Sequence, residues 1–156
     1  MTGDTYAVWE GFDSGWFAPQ LAWEIGSYEG WATTDAYQNS GTHSIGPMNV
    51  GWSGSTATIE LQQYTAGMIC FNYAGHSEEN FDIFRFAIDD DVELELSGEH
   101  TAWTEVCYEP DPGVHTFAWS YQKDDSDDVG WDAFFVDDVM LSGVVSEQCD
   151  DANEVA

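Results

Sequence analysis

The chain has 156 residues, of which 30 are acidic and two are basic, so its formal net charge is −28. Nucleic acid and anionic lipid are excluded as partners, because both are bound mainly through Lys and Arg side chains. The aromatic content of 15% argues against a disordered chain, and no apolar run reaches the ~18 residues of a membrane span.

Period-two alternation of apolar and polar residues predicts strands along most of the chain. Turns rich in Gly, Pro and Asp separate the runs, and Asp89–Asp91 is interpreted as a hairpin turn. In the run 114–121 the odd-numbered side chains, among them Phe117, Trp119 and Tyr121, are assigned to the core. Many short strands with such turns predict an all-β fold, a two-sheet antiparallel β-sandwich of the jelly-roll type. The predicted strands are Tyr6–Phe12, Leu21–Ile25, Thr56–Leu61, Met68–Tyr73, Phe81–Ile88, Val92–Leu96, Trp103–Tyr108, Val114–Tyr121 and Phe134–Leu141.

The alternation ends near residue 143, so one domain is expected at 1–143, followed by an acidic tail or linker at 144–156. Cys70 and Cys107 lie in strand-like runs and form either one disulfide or two buried thiols. Cys149 lies in the tail and leaves an odd count. The first residues lack the basic and apolar segments of a signal peptide. The chain is therefore expected to be either cytosolic or a piece of a larger secreted protein, and the tail favours the second.

The net charge of −28 makes the folded chain repel itself. High salt screens this repulsion, and bound cations such as calcium neutralise it. The near absence of Lys indicates adaptation to salt water, with plain solubility of a secreted protein as the alternative.

The chain contains the motifs Glu10–Gly15, Phe81–Asp89, Ser97–Glu99, Trp103–Val106, Gly113–Asp124 and Asp132–Val139. Together they resemble the jelly-roll domains of secreted bacterial multidomain proteins, which are related in style to MAM domains, cleaved-adhesin domains and carbohydrate-binding jelly rolls. The resemblance covers roughly residues 6–141 and implies a fold and a secreted or cell-surface location rather than a ligand. The tail segment 147–153 resembles the start of a cysteine-rich repeat, with Ala152 where glycine is usual.

The resemblance also implies a structural calcium ion, held where an acid of the first strand meets an acid of the last. In this sequence the acids are Asp13 and either Asp137 or Asp138. Successive strand side chains point to opposite faces, so only one of the last two is expected to face inward. The alternative is that one of them pairs with Arg85 or Lys123.

A second candidate cation loop contains Asp124, Asp128 and Asp132. The first two have part of the spacing of an EF-hand, but Gly130 is one place late and Phe135 stands where Glu is required. A solvated acidic loop is the alternative interpretation.

Arg85 and Lys123 are the only basic residues, so each is expected to form a specific structural ion pair. Arg85 lies between Phe84 and Phe86 and should therefore face away from the core.

Trp16, Trp31 and Trp52 lie in or near turns and are candidates for stacking against sugar rings, the alternative being that they belong to the core. The sequence contains no nucleophile elbow, His-Glu-x-x-His motif or phosphate loop. We therefore expect a non-catalytic, calcium-stabilised extracellular module that is monomeric and binds carbohydrate or a surface glycan. The alternatives are a MAM-like module that binds a cell-surface protein, and a spacer domain.

Overall fold

The computed structural model describes residues 5–17, 21–26, 30–125 and 128–145. These residues form β-strands and no helix, which confirms the all-β prediction. Among them, therefore, no helix is available that could cross a membrane. The strands are β1 (Thr5–Glu10), β2 (Ala22–Glu24), β3 (Trp31–Thr34), β4 (Ser44–Pro47), β5 (Thr56–Thr65), β6 (Ile69–His76), β7 (Ile83–Ile88), β8 (Asp91–Leu96), β9 (Glu99–Tyr108), β10 (Gly113–Gln122) and β11 (Ala133–Val145).

The strands form two antiparallel sheets that pack face to face. The six-stranded sheet has the order β3-β4-β11-β6-β9, and β1 pairs with the C-terminal half of β11. The five-stranded sheet has the order β2-β5-β10-β7-β8. First and last strands are thus neighbours, so residues near the start of the chain lie beside residues near its end.

The largest side chains of the core between the sheets are aromatic. Phe117, Trp119 and Tyr121 of β10 are all fully buried, which confirms the assignment made from alternation. Across the core, Phe71 of β6 contacts Trp119 at 5.6 Å and Phe86 of β7 at 4.7 Å between ring centroids. Each such side chain contributes about 1.5–3 kcal/mol by leaving water, and edge-to-face contacts add to this.

Strands β3 and β4 are absent from the predicted set. Each has four residues, and Gly46 and Pro47 in β4 are residues that normally argue against a strand. They form at the edge of the six-stranded sheet, where β4 meets β11 through Val136 and Ile45. Strand β11 continues to Val145, past the predicted boundary at 143, whereas the tail from 146, with Cys149, lies outside the described residues.

A disulfide joins Cys70 and Cys107, which settles the pairing that the sequence leaves open. The two residues are directly opposite each other on β6 and β9, with Cα atoms 4.1 Å apart. The hairpin turn predicted near Asp89 is present between β7 and β8. Asp89 and Asp90 both have positive φ there, as two-residue hairpin turns require.

The segment between β3 and β4, here called the 35–43 loop, lies across the outer face of the six-stranded sheet. Phe135 is on that face, because its neighbours Phe134 and Val136 are buried in the core. Tyr37 of the loop packs against Phe135 at 5.9 Å and stacks on Trp103 of β9 at 5.3 Å. The loop therefore brings its polar residues over the acidic part of β11.

Candidate functional site

All three acids predicted to hold calcium accept hydrogen bonds from the 35–43 loop, and we call Asp13, Asp137 and Asp138 the Asp13 cluster. The Oδ1 atom of Asp13 accepts hydrogen bonds from the backbone N–H groups of Thr42 at 2.8 Å and His43 at 3.1 Å. A methyl group placed on Gly11 would lie 3.4 Å from Asp13 Oδ2 and 3.6 Å from Asp138 Oδ1. The carboxylates of Asp13 and Asp138 thus flank one position beside β1.

Both acids of β11 accept hydrogen bonds from the same loop, but only one of them, Asp137, is fully buried. Asp137 Oδ2 accepts from the backbone N–H of Asn39 at 2.9 Å and of Ser40 at 3.2 Å. Asp138 accepts from the Ser40 hydroxyl at 2.8 Å and from the Asn39 side-chain amide at 2.8 Å. A β-bulge lies here, with Asp138 at a φ of 51°, and a bulge interrupts the alternation of a regular strand.

Gly41 allows the loop to close over Asp13. Its φ is 64°, a left-handed conformation that glycine adopts without strain. A Cβ atom at this position would lie only 2.0 Å from Asp13 Oδ2. Any larger residue would therefore push the loop away from the carboxylate.

Asp137 is the buried member of the Asp13 cluster, with no exposed surface. Burial raises the pKa of Asp137 to about 6, although hydrogen bonds from the Ser40 and Asp138 backbone act in the opposite direction. The nearby charge of Asp138 also raises this pKa. The carboxylate therefore lies in a place that favours either a proton or a cation.

Lys123 lies among three other acids, and we call Lys123, Asp82, Asp128 and Asp132 the Lys123 cluster. Its ammonium group donates to Asp128 at 2.7 Å, to Asp132, and to Asp82 at 3.4 Å. The Lys123 side chain is fully buried, as is that of Asp82, while that of Asp132 is 5% exposed. The candidate second cation loop thus surrounds a cation that the chain supplies itself.

The predicted grouping of that second loop needs correction. Asp128 and Asp132 bind Lys123, whereas Asp124 belongs to an acidic cluster with Glu78 and Asp82. The carboxylate oxygens of this second group lie within 4.8 Å of one another, close enough to share one metal ion. The backbone N–H of Asp124 also donates to Asp82 Oδ1 at 2.9 Å, so Asp82 links the two groups.

The cluster shifts the titration of its members in different directions. Burial acts to lower the pKa of Lys123, but the hydrogen bonds that its ammonium donates to Asp128 and Asp132 outweigh burial and raise that pKa above its ordinary value. Burial raises the pKa of Asp82, partly offset by the Asp124 backbone bond. The bond from Lys123 lowers the pKa of Asp128, which is half exposed.

Arg85 forms an ion pair on the outer face of the five-stranded sheet. Its Nε atom is 2.7 Å from Glu95 on β8, and Nη1 donates to Gln122 on β10 at 2.6 Å. Phe84 and Phe86 on either side are fully buried, so Arg85 faces outward as alternation predicts. Both basic residues of the chain are therefore engaged away from the Asp13 cluster.

The three tryptophans predicted to bind a ligand lie in different environments. Trp31 is wrong as a ligand-binding candidate, because it is 1% exposed and its indole N–H donates to Ala57 O within the core. Trp16 is 75% exposed, next to Gly15, which lies beside His43. Trp52 is 49% exposed. His43 precedes β4 and Trp52 follows it, so Trp16 and Trp52 lie toward opposite ends of that strand.

Trp131 is an exposed aromatic residue that the sequence analysis missed. It is 36% exposed, and its ring packs against Tyr37 at 4.5 Å. The backbone N–H of Gly51 donates to Asp132 Oδ2 at 2.6 Å. This bond ties the residue before Trp52 to the residue after Trp131, so two exposed tryptophans flank one hydrogen bond.

Two carboxylates lie beside these tryptophans. A Cβ atom on Gly54 would lie 2.7 Å from Asp125 Oδ1, and one on Gly51 would lie 3.8 Å from Asp128 Oδ2. Gly54 N–H also donates to Asp124 O at 2.8 Å, which holds the two loops together. We call Trp52, Trp131, Asp125 and Asp128 the Trp52 surface.

No family model and no curated protein matches the chain. Solved structures do match. The K1 cleaved adhesin domain of Lys-gingipain from Porphyromonas gingivalis W83 has a TM-score of 0.60 at 14% identity, covering 86% of this chain and 96% of that one. The C-terminal family 22 carbohydrate-binding module of Clostridium thermocellum Xyn10B has a TM-score of 0.55 at 10% identity, covering 90% and 95%.

A family 61 carbohydrate-binding module, solved with β-1,4-galactotriose, has a TM-score of 0.52 at 16% identity and covers 85% of this chain and 94% of that one. This chain is a jelly-roll domain. At these identities the likeness establishes the fold alone, so the ligand has to be argued from the chain's own residues.

Proposed function

We propose that this jelly-roll domain is a non-catalytic extracellular module that binds a neutral carbohydrate through the Trp52 surface and is stabilised by calcium at the Asp13 cluster. The observation that carries the ligand part is the pair of exposed tryptophans beside the Gly51–Asp132 hydrogen bond. Sugar rings stack on exposed aromatic faces, and carboxylates accept hydrogen bonds from sugar hydroxyl groups.

The geometry of the Trp52 surface suits such a ligand. Trp131 is backed by Tyr37, so its ring has a support that limits its rotation. Trp52 is held in a turn by a 3.0 Å bond from its own N–H to Asn49 O. An aromatic platform held in place loses less entropy on binding than a mobile one.

The charge of the chain narrows the class of carbohydrate. A net charge of −28 repels uronates and sulfated sugars, and Asp125 and Asp128 add local negative charge at the surface itself. Neutral polysaccharides avoid this repulsion. Their hydroxyl groups can also donate to the carboxylates.

Calcium fits the Asp13 cluster on the chemistry of its donors. Calcium prefers carboxylate and carbonyl oxygens, and three carboxylates here are bonded to one loop. Asp137 is buried with a raised pKa, and Arg85 and Lys123 are both bound to other acids. Asp13, Asp137 and Asp138 would hold the ion, which would join the segment after β1 to β11.

The ligand proposal is tested by measuring the affinity of the purified chain for neutral galactan and xylan in high-salt buffer. Trp52→Ala and Trp131→Ala should each weaken binding about five- to 140-fold, since one stacked ring contributes roughly 1–3 kcal/mol. Trp9→Ala is the matched control, because Trp9 is 66% exposed but lies on β1. Equal losses in all three variants, or no binding to either polysaccharide, would contradict the proposal.

The calcium proposal is tested by thermal unfolding in high-salt buffer with EDTA and then with excess calcium. Binding to the native state alone adds about 2.7 kcal/mol when the free calcium is about 100 times its Kd. Magnesium at the same concentration is the control. A similar rise with magnesium would indicate general charge screening and would remove the argument for a calcium site.

A second candidate function is adhesion to a protein, which a different surface favours. Trp9 faces outward on β1 and pairs with Met140 of β11, which is opposite the disulfide-bonded Cys70. This apolar strip lies on the outer face of the six-stranded sheet. Loss of a protein partner in Trp9→Ala, with Trp52→Ala unaffected, would favour adhesion over sugar binding.

A further inference from the structure

The Lys123 cluster places one amine against three carboxyl groups with little access to water. The side chains of Lys123 and Asp82 are fully buried, and that of Asp132 is 5% exposed. Buried ions remain costly even when they are paired, because each has lost its hydration. A reaction that removes a pair of these charges would relieve that cost.

We propose that Lys123 and Asp132 become joined by an intramolecular isopeptide bond after the chain has folded. The ammonium of Lys123 and the carboxylate of Asp132 condense to an amide and one molecule of water. A bond forms between Lys123 Nζ and Asp132 Cγ, and the bond from Cγ to Oδ1 breaks. Two protons leave the nitrogen with the departing oxygen, so atoms and charge balance without an oxidant or a co-reactant.

The contacts favour Asp132 over the other two acids as the electrophile. Asp132 contacts the amine directly and is nearly fully buried. Asp128 is half exposed, so water competes for its carboxylate. Asp82 is farther away, with its Oδ2 atom 3.4 Å from the amine.

Two hydrogen bonds to Asp132 polarise the group that is attacked. The Gly51 backbone N–H lies 2.6 Å from Oδ2, the oxygen that stays and carries negative charge in the tetrahedral intermediate. A fixed backbone donor at such an oxygen stabilises the transition state. The Tyr121 hydroxyl donates to Oδ1, the leaving oxygen, at 2.9 Å.

Asp82 supplies the base. The three carboxylates hold Lys123 protonated, so the amine must give up a proton before it can attack. Asp82 lies within 3.4 Å, and burial raises its pKa, which makes it a better proton acceptor than a surface aspartate. Holding the reacting groups in contact replaces the high concentration that the reaction would need in solution.

The first test is the mass of the intact, reduced chain after folding and storage for several days in high-salt buffer. The isopeptide bond lowers the mass by about 18 Da, the mass of the lost water. Trypsin gives a second readout, because it can cut only after Arg85 and Lys123. The cross-linked chain, once unfolded, should be cut only after Arg85, and fragments should show the linkage to Asp132.

Four variants separate this bond from other losses of water. Lys123→Arg keeps the positive charge but should show no loss of mass. Lys123→Met removes the charge and should also show no loss of mass. Asp132→Asn should react by loss of ammonia, lowering its mass by about 17 Da and giving the same cross-linked product. Asp82→Asn should slow the reaction at least tenfold while leaving Lys123 and Asp132 in place.

A wild-type mass that matches the sequence, with normal cleavage after Lys123, would overturn the proposal and leave a plain ion pair. A loss of about 18 Da that persists in Lys123→Arg would also overturn it, because the water would come from another site. The measurement uses no carbohydrate and no calcium, so its result is independent of the proposed function.

Discussion

The Asp13 cluster and the Lys123 cluster both hold a buried aspartate, but only the second contains a cation from the chain itself. In the Lys123 cluster one ammonium contacts Asp82, Asp128 and Asp132. In the Asp13 cluster the buried Asp137 is held by backbone N–H groups, with the charge of Asp138 beside it. The two arrangements stabilise a buried carboxylate by different means.

A chain with only two Lys and Arg residues stabilises its buried acids in two ways. An internal ammonium supplies one compensating charge to the three carboxylates independently of the solvent, for as long as it is not converted into an amide. Backbone N–H groups stabilise a carboxylate but bring no net charge, so the Asp13 cluster stays negative. We therefore expect the first cluster to stabilise the fold in any buffer and the second to respond to added cations.

The largest effect should come from removing the internal cation with Lys123→Met. Asp82 and Asp132 would be left buried without a counter-charge, which typically costs about 3–5 kcal/mol. The free energy of unfolding, measured in urea with EDTA present, should fall by that amount. A fall below about 1 kcal/mol would show that the Lys123 cluster is not a buried neutralised site and would break the comparison.

A smaller and conditional effect is expected in Asp138→Asn. Asparagine tolerates the left-handed backbone of this position and keeps an oxygen for Ser40, so the variant should fold. In EDTA its unfolding free energy should stay close to that of the wild type. The gain on adding calcium, about 2.7 kcal/mol at about 100 times the Kd, should be largely lost.

The same variant can contradict the comparison. If Asp138→Asn loses as much stability in EDTA as Lys123→Met does, the Asp13 cluster stabilises the fold without an added ion. If it keeps the full gain with calcium, the ion binds elsewhere, and the Glu78, Asp82 and Asp124 group becomes the next place to examine.

Local patterns predicted the framework of the fold but not the partners of the site residues. Alternation along β10 identified Phe117, Trp119 and Tyr121 as core, because a regular strand repeats every two residues. The bulge at Asp138 breaks that repeat, and nothing in the adjacent residues indicates it. Trp31 was assigned to a turn for a similar reason, since β3 exists only through its pairing with β4.

The partners of Lys123 show the same limit over longer distances. The scarcity of basic residues predicted that Lys123 forms a specific ion pair, but its partner Asp82 is 41 residues away along the chain. The hydrogen bond that joins Gly51 to Asp132 spans 81 residues and creates the Trp52 surface. Trp131 was missed because its position beside Trp52 depends on that bond rather than on any motif near it.

A third effect compares the buried cation with the exposed one. Arg85→Met removes a pair whose Glu95 side chain is 57% exposed, so water and salt already screen it. Exposed pairs contribute about 0–1 kcal/mol, and the loss should shrink further as potassium chloride is raised. The loss in Lys123→Met should change little with salt. Equal salt dependence in both variants would show that Lys123 is as well solvated as Arg85.

The smallest effect concerns the His115–Asp89 pair, where the cation itself titrates. His115 Nδ1 is 2.5 Å from Asp89 Oδ2, and this bond raises the pKa of His115 above 6.5. Two hydrogen bonds lower the pKa of Asp89 below 3.8. The larger effect comes from the bond of the Thr116 backbone N–H, and the smaller from the bond of the His115 side chain. The stability that comes from the raised pKa of His115 is present below pH 6.5 and is lost as the pH rises through the folded-state pKa. The stability that comes from the lowered pKa of Asp89 is present above pH 3.8 and is lost as the pH falls through the folded-state pKa.

The two conditions overlap between about pH 4 and 6.5, so the pair should contribute most in that window. Asp89→Asn keeps the left-handed turn and the oxygen that accepts from Thr116, and removes only the charge. With Asp89 49% exposed, the difference in unfolding free energy should stay below about 1 kcal/mol at pH 5–6 and shrink at alkaline pH. A difference that instead grows with pH would mean that the pair acts through the neutral imidazole. It would then not be the exposed, titrating counterpart of the Lys123 cluster.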